Sequence, residues 1–208
     1  MTHSLDAARP RGLYAAKPAF QARLAGPADW LAKHHIHPDT LTYLALGCSI
    51  VGGGAFFAGT QQPAWLWLLP PLIFARLALN ALDGMVAIRG GLARPWGKVL
   101  NELCDRLADL AFFWPLLLAP GASQPLVLAS CVAILLCSYV GILSEAAGGP
   151  RQYGGPMGKA DRMAWLGLSA AATALTGAYL PLQVLPAVLL VGGVFTAVER
   201  GVRTHAAV

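Results

Sequence analysis

Six times along this chain a long, mostly apolar stretch is cut off by a cluster of turn residues. The stretches run 41–59, 64–88, 97–119, 125–147, 163–180 and 182–198. About 20 largely apolar residues are needed for a helix to cross a bilayer. Within hydrocarbon the backbone must satisfy its own hydrogen bonds, which favours helices. The pattern therefore predicts an all-α membrane protein with six transmembrane helices. The interruptions are helix breakers: Gly59-Thr60-Gln61-Gln62-Pro63, Pro120-Gly121-Ala122-Ser123 and Gly148-Gly149-Pro150. Only 12% of the residues are charged and 56% are hydrophobic. An ordinary soluble domain is about 25% charged, and a disordered chain is poorer still in apolar residues. The 23 glycines show no triplet period and heptads are absent, which excludes collagen-like and coiled-coil chains.

The charges orient this bundle. Of the 15 Lys and Arg, five precede the first stretch: Arg9, Arg11, Lys17, Arg23 and Lys33. Arg89, Arg94 and Lys98 follow the second stretch, Arg151, Lys159 and Arg162 lie between the fourth and fifth, and Arg200 and Arg203 close the chain. The three alternate loops carry no charge. Six spans put both termini on one face, and the positive-inside rule makes that face cytoplasmic in a bacterial-type inner membrane. The net charge of +5 thus reads as topology and not as a nucleic-acid partner. Residues 1–40 are expected to form a cytoplasmic segment, 41–200 the membrane domain and 201–208 a cytoplasmic tail. No apolar core follows the early basic residues until Leu41, so they do not read as a cleavable signal. Phe20, Leu24, Trp30 and Leu31 recur at roughly helical spacing among Arg23, Asp29 and Lys33, predicting an amphipathic N-terminal helix on the inner surface with Trp30 as its anchor. Lys33-His34-His35-Ile36-His37 reads as solvated, with metal binding the alternative. Cys48, Cys104, Cys131 and Cys137 form no C-x-x-C pair and read as thiols within apolar runs. No internal repeat supports an inverted-repeat transporter.

The second and third stretches break the apolar pattern. Between Leu79 and Asp109 lie Asn80, Asp83, Asn101, Glu102, Asp105, Arg106 and Asp109. A charge at mid-bilayer costs at least ~2.5–3.5 kcal/mol, so such residues must face water or one another. Asn80 and Asp83 are three apart and share one helix face; Asn101, Asp105 and Asp109 are four apart and form a stripe on the next, with Glu102 beside it. Two antiparallel helices would bring these together as a cluster of carboxylate and amide oxygens, a set suited to Mg²⁺ or Mn²⁺. Gly84, directly after Asp83, lets a backbone approach a phosphate or a base closely. The alternative is a charge-paired seam in which Arg76 and Arg106 neutralise the acids.

These residues resemble the signature of the CDP-alcohol phosphotransferase family, D-x-x-D-G-x-x-A-R, eight residues, then G-x-x-x-D-x-x-x-D. The register runs from Asn80 to Asp105 without a gap, with Asp83, Gly84, Ala87, Gly97 and Asp105 matching. Asn80 and Asn101 stand at the first and third Asp positions, Ile88 stands at the Arg position, and Arg89 comes one place late. His37-Pro38-Asp39-Thr40-Leu41-Thr42 is similar to the family's N-P-x-x-L-T at the start of the first span. The resemblance implies an enzyme of phospholipid synthesis that transfers a phosphatidyl group from CDP-diacylglycerol to a small alcohol, phosphorylated or not, and releases CMP. It implies a Mg²⁺ or Mn²⁺ site at Asn80, Asp83, Asn101 and Asp105, with Asp105 as catalytic base and Gly84, Ala87 and Gly97 beside the nucleotide. Glu102 is expected to replace a carboxylate lost at Asn101. Arg151, Lys159 and Arg162 are expected to bind an acceptor phosphate, and the family implies a homodimer. An inactive relative that binds CDP-lipid or metal, or a small ion or solute transporter, stands as the alternative.

Overall fold

The computed structural model describes residues 12–208, so Arg9, Arg11 and the start of the expected cytoplasmic segment lie outside the described residues. Among the described residues every regular element is helical. After a 3₁₀ turn at Gly12–Ala16 come α1 (Lys17–Arg23), α2 (Ala25–Lys33), α3 (Pro38–Gly59), α4 (Leu69–Arg89), α5 (Pro95–Phe113), α6 (Gln124–Ala146), α7 (Lys159–Thr176) and α8 (Leu180–Ala207). Further 3₁₀ turns at Pro63–Leu68 and Trp114–Leu118 lead into α4 and out of α5. Proline opens most of these helices, Pro38, Pro95, Pro125 and Pro181 among them. It suits a first turn, where its missing N–H would have no partner anyway. The opening of α7 lacks proline, and Asp161 there accepts from the Gly158 N–H instead (3.1 Å). Gly177 ends α7 in the left-handed region (φ 71°), which a side chain would oppose.

All six expected stretches hold helices. Four of them are long and apolar enough to cross a membrane: Pro38–Gly59, Pro63–Arg89, Gln124–Ala146 and Leu180–Ala207. The expected count of six is therefore met in position but not in composition. α5 carries Lys98, Glu102, Asp105, Arg106 and Asp109 along most of its length, and the start of α7 carries Lys159, Asp161 and Arg162. The expected N-terminal helix is broken in two at Leu24. Pro27 lacks an N–H for the Arg23 carbonyl and crowds it, which explains the break. The apolar side of α2 is turned inward. Ala28 is buried with Leu41, Leu82 and Val86, and Leu24, Leu31 and Ile36 pack around them, while Trp30 is 58% exposed. Arg89, at the end of α4, reaches back to the Ala25 carbonyl (2.6 Å) and Asp29 (2.5 Å).

Two packings build the bundle: α3 against α4 and α5, and α6 against α8, with α7 lying on both α4 and α8. One apolar core joins them through Phe56, Leu69, Ile73, Phe112, Leu116, Ile134, Leu166 and Leu185. Where α3 crosses α5 the backbones come close. A Cβ on Gly53 would lie 2.2 Å from the Ala111 carbonyl oxygen, and one on Gly52 would lie 2.3 Å from the Phe112 ring. Gly54, next along, faces open space. Small residues at such crossings let helices associate by contact where no hydrophobic effect drives them. The four cysteines are free, with Cys104 and Cys137 buried.

Gly53→Val should push α3 off α5 and cost about 1–3 kcal/mol, the usual penalty of overpacking. It should lower the melting temperature of the detergent-solubilised protein. Gly54→Ala should leave it unchanged or raise it, and equal melting temperatures for the two variants would refute the close approach.

Candidate active site

Asp83 on α4 is 4% exposed. Its Oδ2 accepts from the Thr42 hydroxyl on α3 (2.9 Å) and from the Asn101 amide on α5 (2.7 Å). The same Asn101 Nδ2 lies 3.5 Å from Asn80 Oδ1. The two polar stripes predicted on neighbouring helices thus meet at Asn80, Asp83 and Asn101. Thr42, at the end of the motif beginning at His37, joins them from a third helix.

Further along α5 the stripe is charge-paired. Asp105 Oδ1 accepts from Lys159 Nζ at 2.5 Å and lies 3.7 Å from Arg76 Nη2. Asp109, 2% exposed, bonds Arg162 at 2.5 Å and Arg76 at 3.3 Å. Arg106 stands 3.9 Å from Asp105 and 3.6 Å from Asp109. Glu102 pairs with Arg151. Glu102, Asp105 and Asp109 follow one another at helical spacing along α5, each on a different cation from the 151–162 segment. The Arg151 guanidinium is partly buried, which works against its charge, but the Glu102 carboxylate outweighs this and holds its pKa above the usual value. Arg151 also lies over the Tyr153 ring, and Tyr153 stacks on Tyr14 with centroids 5.1 Å apart.

The expected residues therefore fall into two groups. Asn80, Asp83 and Asn101 gather with Asp83 at their centre. Asp105, Glu102, Arg151, Lys159 and Arg162 belong to the ion-pair ladder beside it, each of the three cations paired with a different acid of α5. The seam anticipated from Arg76 and Arg106 accounts for Asp105 and Asp109 but not for Asn80, Asp83 and Asn101. Gly84 faces open space, and a Cβ on Gly97 would meet only Arg94 Cγ, at 3.6 Å. Ala87 is half-buried on α4, and Ile88 beside it is 76% exposed. Glu145 lies 3.3 Å from Lys98. The histidine run serves local structure: His34 stacks on Trp30 and His37 caps α3 by accepting from the Asp39 N–H.

Sequence reasoning placed Thr42 only in the entry motif and read Arg200 only as a topology charge. Arg200 on α8 donates to the carbonyls of Cys137 (2.6 Å), Tyr153 (3.2 Å) and Gly154 (2.8 Å), pinning the 151–156 segment to α6. Gly141 makes room for it, since a Cβ there would lie 2.6 Å from the Gln152 carbonyl oxygen. A cation at the end of an apolar helix reads as topology, and nothing in sequence spacing marks the carbonyls it reaches.

Among the described residues no three His, Cys, Asp or Glu side chains form a metal-holding group. The oxygens that do converge are one carboxylate, on Asp83, and the amides of Asn80 and Asn101, with Asp105 on the neighbouring turn of α5. Hard divalent cations accept such mixed carboxylate and carbonyl oxygens. Asn101 currently turns its NH₂ toward Asp83, and half a rotation of the amide presents its oxygen instead. The donor set fits a Mg²⁺ or Mn²⁺ ion on those terms.

No family model matches the chain. It is 37% identical over 163 residues to the inner membrane protein YnbA of Escherichia coli, covering 78% of this chain and 81% of that one. It is 32% identical over 198 residues to the phosphatidylinositol phosphate synthase of Corynebacterium glutamicum, covering 91% of this chain and 86% of that one. The crystal structure of Mycobacterium tuberculosis phosphatidylinositol phosphate synthase with CDP-DAG bound superposes with a TM-score of 0.73 at 26% identity, covering 88% of this chain and 93% of that one. The same enzyme in complex with manganese and citrate gives 0.72, also at 26% identity, covering 88% of each chain. Likeness of this extent, joined to a signature whose two halves meet around Asp83, places the chain in the CDP-alcohol phosphotransferase family.

Proposed function

We propose that this protein is a multi-pass inner membrane enzyme that transfers a phosphatidyl group from CDP-diacylglycerol to the hydroxyl of a small alcohol and releases CMP. The observation that carries the reading is the meeting of Asn80, Asp83 and Asn101 from two helices beside Asp105. Relatives named as phosphatidylinositol phosphate synthases, one of them solved with CDP-DAG, support it. Six membrane-crossing helices, both termini and the active site on the cytoplasmic face, a surface helix at the N-terminus and a homodimer complete the proposal. The charge-free alternate loops and the exposed Trp30 support the topology. The divisions at residues 40 and 200 follow from it.

In this reading Asn80, Asp83, Asn101 and Asp105 hold Mg²⁺ or Mn²⁺, and Glu102 offers a further oxygen, since its buried Oε2 has no hydrogen-bond partner. When bound, the cation neutralises phosphate charge and favours departure of CMP. Gly84 and Ala87 leave the face of α4 low enough for the nucleotide to lie against it, with Gly97 opposite on α5. Asp105 accepts the proton of the attacking hydroxyl. The Lys159 ammonium beside it fixes its orientation, and Arg76 adds a second positive charge nearby. Thr42 fixes Asp83 by donating to Oδ2, so one oxygen of that carboxylate stays in place whichever way the Asn101 amide turns.

Purified protein given CDP-diacylglycerol, Mg²⁺ and a panel of alcohols should release CMP. Asp105→Asn should reduce that rate by about 10²–10⁴-fold, the usual contribution of a general base, while lipid binding persists. Undiminished turnover would remove Asp105 from the chemistry. Asp83→Ala should weaken Mn²⁺ binding, read by paramagnetic resonance or calorimetry, by tenfold or more, since even loss of a group that only supports a ligand costs about 10–100-fold. Equal Mn²⁺ affinity in that variant would place the cation elsewhere.

A further inference from the structure

The N-terminal helices are fastened to the bundle at two places. At α2, Arg89 holds Asp29 and the Ala25 carbonyl. Near Gly12 the fastening is to the segment before α7 and to α7 itself. The Leu13 N–H donates to Asp161 Oδ1 at 2.8 Å. The Tyr14 ring lies on the Tyr153 ring with 9° between their planes. Lys17 Nζ stands 5.1 Å from the Tyr14 centroid and 5.7 Å from the Tyr153 centroid, within reach of a cation–π attraction to both. Tyr153 is a fixed post. Arg200 donates to its carbonyl, and the N–H groups of Gln152 and Met157 on either side donate to the Gly141 carbonyl (3.2 Å) and to Thr196 Oγ1 (3.0 Å). None of these bonds uses the Tyr153 ring, which is left to receive Tyr14.

Between the two fastenings α1 crosses α4 without filling the space beneath it. A cavity of about 340 Å³ lies there, with Gln21, Ala22 and Ala25 on one side and Met85, Ile88 and Arg89 of α4 on the other. Ile88 is one turn beyond Gly84, so the cavity borders the face of α4 on which the nucleotide is placed above. We propose that residues 12–25 form a strap along this side of α4, that Tyr14 and Lys17 latch it onto Tyr153, and that the latch sets how firmly the CDP-linked lipid is held. The inference rests on the transferase reading and deepens it by naming two positioning residues. With the latch shut, α1 is held against α4 from both ends and walls the lipid substrate in. With the rings apart, the strap hangs on the Arg89 contacts alone and swings from α4. One stacked pair and one shared cation are weak enough to part and close again repeatedly, as passage of a bulky lipid requires.

The test uses the full-length protein in detergent and two readouts. The first is the rate of trypsin cleavage after the exposed Arg23, which lies between the two fastenings and reports how often the strap is open. Tyr14→Ala should raise that rate by about two- to tenfold, the worth of one aromatic pair, and Tyr14→Phe should leave it unchanged. Tyr153→Ala should match Tyr14→Ala, and the double variant should go no further, because the second change removes a contact already lost. The second readout is CMP release from CDP-diacylglycerol with Mg²⁺ and the alcohol panel. There Tyr14→Ala should raise the KM for CDP-diacylglycerol by the same factor with little change in kcat, and Tyr14→Phe should restore it. Equal cleavage of the native protein and Tyr14→Ala, or additive effects of the two alanines, overturns the latch and leaves the transferase reading intact. Faster cleavage with an unchanged KM overturns its role toward the lipid. Absence of CMP from the native protein with every alcohol overturns the transferase reading and, with it, that role, while cleavage still decides whether the strap is latched.

Discussion

Asp109 lies between two guanidiniums, Arg76 from α4 and Arg162 from α7, where almost no water reaches it. A carboxylate in that position without partners would cost several kcal/mol, and so would either arginine. Three helices are therefore held to one relative placement by a charge that none of them could bury alone. The same logic repeats up the face of α5 at Asp105 and Glu102. It also explains why α5 and α7, the two helices with too many charges to qualify as apolar spans, belong in this bundle. Their charges are complementary, and they are joined by long side chains where α3 and α5 are joined by bare backbone at Gly53.

The pairing divides the polar stripe into two regions. Near Asp83 the groups are uncharged amides and a hydroxyl around one carboxylate, an arrangement that can reorganise because an amide can turn. From Asp105 onward every acid is matched by a cation, an arrangement that resists reorganisation. Asp105 belongs to both regions: it is held by Lys159 on one side and stands one turn from Asn101 on the other. For the base proposed above, that position means its orientation is set by the rigid side.

Much of this was legible in the residues. The apolar stretches located the six long helices among the described residues, α5 and α7 in spite of their charges, and the spacing of Asn80 with Asp83, and of Asn101 with Asp105, indicated which side chains share a face. Other features were hidden for identifiable reasons. The break at Leu24 follows from Pro27, a local signal that the amphipathic spacing obscured. The partners of Arg151, Lys159 and Arg162 lie some 50 residues earlier in the chain, at Glu102, Asp105 and Asp109. Choosing among several acids of equal charge requires the packing of α4 and α7, which no spacing rule supplies. The contacts of Thr42 and Arg200 went unseen because their partners are a single carboxylate and a set of backbone carbonyls.

One residue's displacement along α4 has an outsized geometric effect. Successive positions on an α-helix are turned by about 100°, so a cation at 89 points to a different quadrant from one at 88. Here that quadrant is filled by α2, and the guanidinium fastens the N-terminal helices by way of Asp29 and the Ala25 carbonyl. The quadrant at 88 presents the bare hydrocarbon of Ile88. The surface there is oily, and the charge one place along works as a clasp for the N-terminal helices.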